Sequence, residues 1–351
     1  MLSVLETHRR LYNNALAQRR DAYRLEKRSV SYSEQNKQLT ADRKTNPFLA
    51  LVNCAASQRT LRRLDKAFAA FFRRVKAGEK KCGYPRFKGE GRFDSIEYRA
   101  GNGARLATWG KAYFQEVGVI TIKQDRVIEG IVKAITFKRE ADHWYVLFIC
   151  DVELPDPSPS INPTVGIDLG LKSFLVTSDG QEIASPKLYR HAEKRLQRLQ
   201  RQLSRKKKGS MNRRKAVLKV ARLHRHIANQ RRDFRHKTAR DLVNRYGGIA
   251  YEQLNIKGMM RSRFAKSVQD AGWSGFLFLL NSKAVEAGVQ VIEVDARYTT
   301  QTCSACGSLP SESIGLGVRT YFCCHCGYTA DRDVNAAVNI KNRAFPDEAF
   351  L

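Results

Sequence analysis

The sequence predicts an α/β multidomain chain, and three observations carry that expectation. Apolar residues recur at helical spacing through the first hundred residues. Short β-type runs follow, first between charged turns and later alternating with helical stretches. Near the C-terminus the pairs Cys303-x-x-Cys306-Gly307 and Cys323-x-x-Cys326-Gly327 have the spacing of a zinc ribbon inserted in the last α/β segment. At 351 residues the chain has room for about two or three domains with a sizeable core.

Taken in order, Leu5, Tyr12, Leu16 and Tyr23 form one apolar stripe, and Leu61, Leu64, Phe68, Phe71 and Phe72 form another. Pro47 and the stretch from Gly78 to Pro85 punctuate them, so residues 1–85 are expected to be a helical lobe. After Arg86 the pattern shifts to Val117 to Ile122, Gly130 to Phe137 and Trp144 to Val152, a β-rich unit over 86–160. Its end, Leu154 to Ser160, carries three prolines and is expected to be an extended linker. Residues 161–296 then alternate. Val165 to Asp168 is a buried-type strand, Phe174 to Ala184 a hairpin through Asp179-Gly180, and Ile249 to Glu252 another strand. A helix from Trp273 to Glu286 and a strand from Val289 to Val294 follow. The ribbon covers 297–330, and 331–351 closes the last segment with a helix from Arg332 to Arg343.

The charge narrows the function classes. The chain carries 63 Lys+Arg against 34 Asp+Glu, a net charge of +29. That excess calls for a polyanionic partner. No apolar run reaches the roughly 20 residues that span a bilayer, so nucleic acid stands ahead of a membrane. The excess peaks over 187–240, where Leu196, Leu199 and Leu203, then Val217, Val220, His224 and Ile227, give a helical hairpin broken at Gly209-Ser210. Its Arg198, Arg201, Arg205, Lys206, Lys207, Lys208, Arg213 and Arg214 are expected to contact phosphates, which positions nucleic acid without reading sequence. Tyr84, Arg86, Phe87 and Lys88 are further expected contacts.

Each Cys-x-x-Cys turn presents two thiolates to one ion. Four thiolates close a tetrahedral site with no open position, which suits a structural Zn2+ rather than a catalytic one. Cys324 and His325 lie inside the second pair, but the regular spacing favours Cys323 and Cys326. Cys54, Cys82 and Cys150 are isolated and are expected to be small buried hydrophobes. Three acids stand in apolar or turn contexts: Asp168 and Glu252 on strands, and Asp333 at a helix start. An acid at the end of a core strand is costly unless a cation shares it. Two-metal phosphoryl chemistry needs such a cluster, because carboxylates hold a Mg2+ pair about 3.5 to 4 Å apart. Asp331 competes with Asp333, since either can cap the helix that follows, and spacing leaves that choice open.

The runs Gly166-Ile167-Asp168-Leu169-Gly170, Tyr251-Glu252-Gln253-Leu254-Asn255-Ile256-Lys257-Gly258-Met259, Asp270-Ala271-Gly272-Trp273, Thr299-Thr300-Gln301-Thr302-Cys303-Ser304-Ala305-Cys306-Gly307 and Asp331-Arg332-Asp333-Val334-Asn335-Ala336-Ala337 together resemble the TnpB family, insertion-sequence-encoded relatives of the type V CRISPR effectors. The resemblance implies a RuvC-like nuclease domain of RNase H fold split by the zinc ribbon, preceded by a helical recognition lobe and a β-rich wedge domain. It implies Asp168, Glu252 and Asp333 as catalytic acids holding two Mg2+ ions, and so selects Asp333 over Asp331. It also implies a guide RNA from the transposon end and cutting of double-stranded target DNA beside a short motif. A monomer on its RNA, in the prokaryotic cytoplasm and on the nucleoid when DNA-bound, is expected. Two features depart from the family: relatives begin with a short strand before their first helix, and Thr300 stands where a serine is usual. Two other readings share the acids. A protein-only RuvC-like resolvase or transposase would work without RNA, and a guided DNA-binding repressor would bind without cutting.

Overall fold

The computed structural model describes residues 1–153, 155–310, 314–315 and 317–346. Leu154 of the expected linker, four residues of the expected ribbon and the end of the last segment lie outside the described residues. The chain divides into two compact units, Met1–Leu154 and Pro155–Leu351.

In the first unit, helices α1 (Leu2–Glu26), α2 (Tyr32–Thr45), α3 (Pro47–Leu51) and α4 (Cys54–Lys76) precede strands β1 (Ser95–Ala100), β2 (Gly103–Thr108), β3 (Lys111–Phe114), β4 (Gly118–Thr121), β5 (Ile131–Glu140) and β6 (His143–Asp151). Local chemistry sets the helix starts. Ser31 and Glu34 form a capping box, Asn46 caps α3 with Pro47 in its first turn, and Asn53 caps α4. On α1, Leu5, Tyr12 and Leu16 are buried at helical spacing, whereas Tyr23 is exposed. The six strands form one sheet in the order β4-β3-β2-β1-β5-β6. Helices and sheet share one core, in which Leu16, Leu61 and Leu64 meet Ile96, Tyr98, Phe114 and Ile135. The position 85/86 therefore falls inside a single compact unit.

Helical structure stops earlier than the hundred residues expected. The chain leaves α4 at Lys76, where Gly78 and Gly83 take positive φ of 69° and 62°, a backbone that favours glycine. In β1, buried Ile96 and Tyr98 alternate with Glu97 and Arg99, which is the strand period. The isolated cysteines also differ from expectation. Cys54 is exposed, and Cys82 and Cys150 are half-buried.

The second unit runs β7 (Thr164–Leu169), β8 (Ser173–Thr177), β9 (Glu182–Ala184), α5 (Leu188–Ser204), α6 (Met211–Arg245), β10 (Gly248–Glu252), α7 (Ile256–Met259), α8 (Ala265–Ala271), α9 (Trp273–Ala287), β11 (Gln290–Val294), β12 (Thr320–Phe322), β13 (Thr329–Asp331) and α10 (Arg332–Ala344). The main sheet has the order β11-β10-β7-β8-β9. Strand β10 pairs parallel with both β7 and β11, while β8 and β9 add antiparallel. Val165, Ile167, Ile249 and Tyr251 pack with Leu242 of α6 and with Trp273, Phe276 and Leu280 of α9. The alternate positions serve α10, where Ala250 and Val294 pack with Ile340. Gly166 is what allows this: a Cβ there would collide with the Ala337 carbonyl and the Lys341 amide of α10.

The basic hairpin is α5 and α6, closed on Leu196, Leu223 and Ile227. Among the described residues, no helix is long and apolar enough to cross a membrane.

Candidate active site and four-cysteine centre

Strand alternation and register bring the three acids towards one face. Side chains two residues apart on a strand share a face, so Asp168 lies on the same side of β7 as Gly166. Gly166 pairs with Ala250 and Ile167 with Tyr251, so Glu252 follows on the matching side of β10. Asp333 lies four residues before Ala337, one helical turn from the residue that contacts Gly166. A turn of helix and two strand residues advance by similar distances, about 5.4 and 6.6 Å, so Asp333 is carried to the end of β7 where Asp168 lies.

The electrostatics report the same meeting. Burial, and after it the charges of Glu252 and Asp333, raise the Asp168 carboxyl from its ordinary 3.8 to about 7. Burial raises Glu252 as well, against the opposing hydrogen bond from Thr299 and the charge of Arg343. The Thr299 hydroxyl donates to Glu252 Oε1, and Thr299 itself is buried. Asp333 is faced by Arg332 at 3.2 Å and Arg319 at 3.7 Å. Asp331 has a different role. Its Oδ1 accepts from the backbone N–H of Asp333 at 2.8 Å and of Val334 at 3.3 Å, which makes it the N-cap of α10. A buried carboxyl raised by burial and by two neighbouring carboxylates belongs to an all-oxygen donor set. Such a set suits a hard divalent cation, which would displace the proton.

The four predicted cysteines form one cluster, and the ligand atoms of Cys303, Cys306, Cys323 and Cys326 all lie within 4.8 Å of one another. The Cys303–Cys326 and Cys306–Cys323 sulfur pairs are each 3.7 Å apart. A tetrahedral Zn–S distance of about 2.3 Å gives sulfur separations of about 3.8 Å, so these two pairs have the spacing a zinc ion calls for. The two knuckles repeat one backbone pattern. Gly307 N donates to Cys303 O and Gly327 N to Cys323 O, each at 2.9 Å, with both glycines at positive φ. Cys324 is exposed and outside the cluster.

Cluster and acids are joined by residues to which sequence reasoning assigned no role. Asn335 of α10 is fully buried; its Oδ1 accepts from Ser304 N at 2.9 Å and its Nδ2 donates to Thr302 O at 2.8 Å. One turn on, Asn339 Nδ2 donates to Thr299 O and Thr302 O at 2.8 and 2.7 Å. Helix α10 therefore grips the segment that carries Cys303 at one end and the Glu252 partner Thr299 at the other. An asparagine inside an apolar helical stripe was the available signal.

The predicted nucleic-acid residues fall in two places. On the hairpin, Arg198, Arg201, Arg205, Lys206, Lys207, Lys208 and Arg214 are exposed. Arg213 is half-buried and donates to the Leu203 and Lys206 carbonyls at 3.0 and 3.1 Å, closing the end of α5. In the first unit, exposed Arg86 stands beside Tyr84 and Phe87, both partly packed. Tyr84 makes edge contacts with Phe68 and Phe71, and Phe87 lies under the Arg20 guanidinium. Lys88 is tied to α1 through Asn13 and Arg9.

A family model described as "Probable transposase" matches residues 148–263, and a second, described as "Cas12f1-like, TNB domain", matches 273–340. A Streptomyces pristinaespiralis protein named "Putative RNA-guided DNA endonuclease" is 35% identical over 344 residues, covering 95% of this chain and 82% of the relative. The Escherichia coli K12 protein named "Putative RNA-guided DNA endonuclease InsQ" is 32% identical over 300 residues, covering 81% and 72%. Among solved structures, the cryo-EM complex of Cas12f1 with sgRNA and target DNA superposes at a TM-score of 0.58 with 17% identity, covering 98% of this chain and 82% of that one. The mixed α/β fold is thus Cas12f1-like.

Proposed function

This chain belongs to the TnpB family, and on that premise we propose that it is an RNA-guided DNA endonuclease of transposon origin. It cuts double-stranded target DNA beside a short recognised motif. The RuvC-like nuclease part is the second unit, with the zinc ribbon inserted before α10. The observation that supports this reading best is the meeting of Asp168 of β7 with the charges of Glu252 of β10 and Asp333 of α10, which with burial raise its carboxyl.

In this reading the three carboxylates hold two Mg2+ ions. When bound, such a pair activates the attacking water and neutralises charge on the leaving 3′ oxygen. Asp168 must give up the proton it otherwise holds near neutral pH before it can act as a ligand. Thr299 orients Glu252 through its hydroxyl, and Arg332 and Arg319 hold Asp333 at the start of α10. One structural Zn2+ on the four cysteines keeps the 299–304 segment in place. The exposed hairpin cations contact the backbones of guide RNA and DNA, with Tyr84, Arg86, Phe87 and Lys88 as further contacts. The protein acts as a monomer on its RNA, in the prokaryotic cytoplasm and on the nucleoid when engaged.

The test is Asp168→Ala in the assembled protein–RNA complex. Target cutting in Mg2+ should vanish while RNA and target binding persist in gel-shift measurements. Cutting at the wild-type rate would overturn the assignment.

A further inference from the structure

Beyond the acids, the second unit contains a cavity of about 360 Å3 whose lining includes Lys172, Lys187, Arg190 and Phe264. We propose that this cavity seats one nucleotide of the DNA strand being cut, with its phosphate on Lys172 and Lys187 and its base on Phe264. The proposal rests on the nuclease reading and deepens it by adding a subsite next to the acids.

The cavity is close to the acids along the chain. Its wall begins at Leu171 and Lys172, three and four residues past Asp168. Four residues span at most about 14 Å. At about 3.4 Å per nucleotide in a duplex, and more in an extended strand, the cavity lies within a few nucleotides of the acids.

Two of its cations are available to a phosphate. Among the described residues, neither Lys172 nor Lys187 has an ion-pair partner. Arg190 is engaged, by the Ser267 hydroxyl at 3.1 Å and by Glu193 at 3.5 Å. Asp270, the one acid among the described lining residues, is already engaged. Its carboxylate is nearly buried, accepts the backbone N–H groups of Tyr189 and Arg190 at 2.9 and 3.2 Å, and lies 3.9 Å from Arg231. It caps α5 from 80 residues away, and so fixes the turn that displays Lys187 and Arg190.

An aromatic ring completes the site. Phe264 is 43% exposed, with the Arg263 guanidinium 4.9 Å from its centroid. A concave site that joins cations to an exposed aromatic suits an unpaired strand, whose bases can leave the stack and lie on a ring whatever their sequence. A duplex cannot place a base there.

The experiment uses the protein–RNA complex and compares Phe264→Ala, Lys172→Ala/Lys187→Ala and the conservative Phe264→Tyr. Target affinity without divalent metal and single-turnover cutting of prebound target in Mg2+ are both measured. Phe264→Ala should slow cutting about tenfold with affinity unchanged, the double lysine variant should slow it at least as much, and Phe264→Tyr should restore the rate. A 2-aminopurine beside the cut position should be quenched in the wild type and not in Phe264→Ala. Wild-type rates in the variants, or an affinity loss that accounts for the slower cutting, would overturn the subsite. Failure of the subsite alone leaves Asp168→Ala inactive, whereas failure of the nuclease reading shows as wild-type cutting by Asp168→Ala.

Discussion

Asp168 holds a proton that its unfolded counterpart does not. Its carboxyl rises from 3.8 to about 7, so the native state binds the extra proton between those values. That contribution to stability is present below about pH 3.8 and is lost as pH rises through about 7. Asp168→Asn keeps the shape and removes the titration. Without added Mg2+ the variant should be the more stable protein, by a margin that widens by about 2.5 kcal/mol between pH 5 and pH 8, because each of the two pH units over which only the folded chain keeps the proton is worth about 1.4 kcal/mol. Melts that show a constant margin would mean that Asp168 is not raised. At this scale the cysteines were legible because their spacing is unusual, whereas spacing left Asp331 and Asp333 open and only the family resemblance chose between them. Thr299, Asn335 and Asn339 were not legible, since an amide or hydroxyl declares its role only through a partner 30 or more residues away.

Among the elements, the contact between β7 and α10 has the least tolerance. Gly166→Val would drive a branched side chain into the Ala337 carbonyl, and the helix backbone cannot yield as a flexible side chain could. Overpacking of this kind costs about 1–3 kcal/mol, and here it also separates Asp333 from Asp168. Urea unfolding should show a loss at or above the top of that range, with cutting lost at temperatures where the protein is still folded. Normal cutting by a stable Gly166→Val protein would refute so tight a fit. Strands β7, β10 and β11 and helices α9 and α10 could be read from the sequence because each is a compact apolar run or stripe. Strands β1 to β3 were missed: their half-charged alternation follows a helical region, and their order in the sheet depends on pairings that no local pattern encodes.

On the scale of the whole molecule, the two metals are expected to have separable effects. Chelating zinc, or Cys306→Ser, should loosen the 299–304 segment and with it Thr299 and α10. Cutting should fall by an order of magnitude or more and not return with added Mg2+, because losing the groups that orient a metal's ligands typically costs about 10- to 100-fold. A zinc-free protein that cuts normally would contradict the coupling. The helical and β-rich stretches of the first unit were legible one by one, but their common core was not, since burial of Leu61 against Ile96 and Phe114 is a property of the folded chain.

The trough that Gly166 leaves open is filled by α10, the last helix among the described residues. Ribosomes add about 5–20 residues per second, so about ten to thirty seconds separate the emergence of Asp168 from that of Asp333. Through the first half of that interval the growing polypeptide has Asp168 alone, Glu252 joins it midway, and on the proposed reading the nascent chain cannot cut until α10 settles across β7.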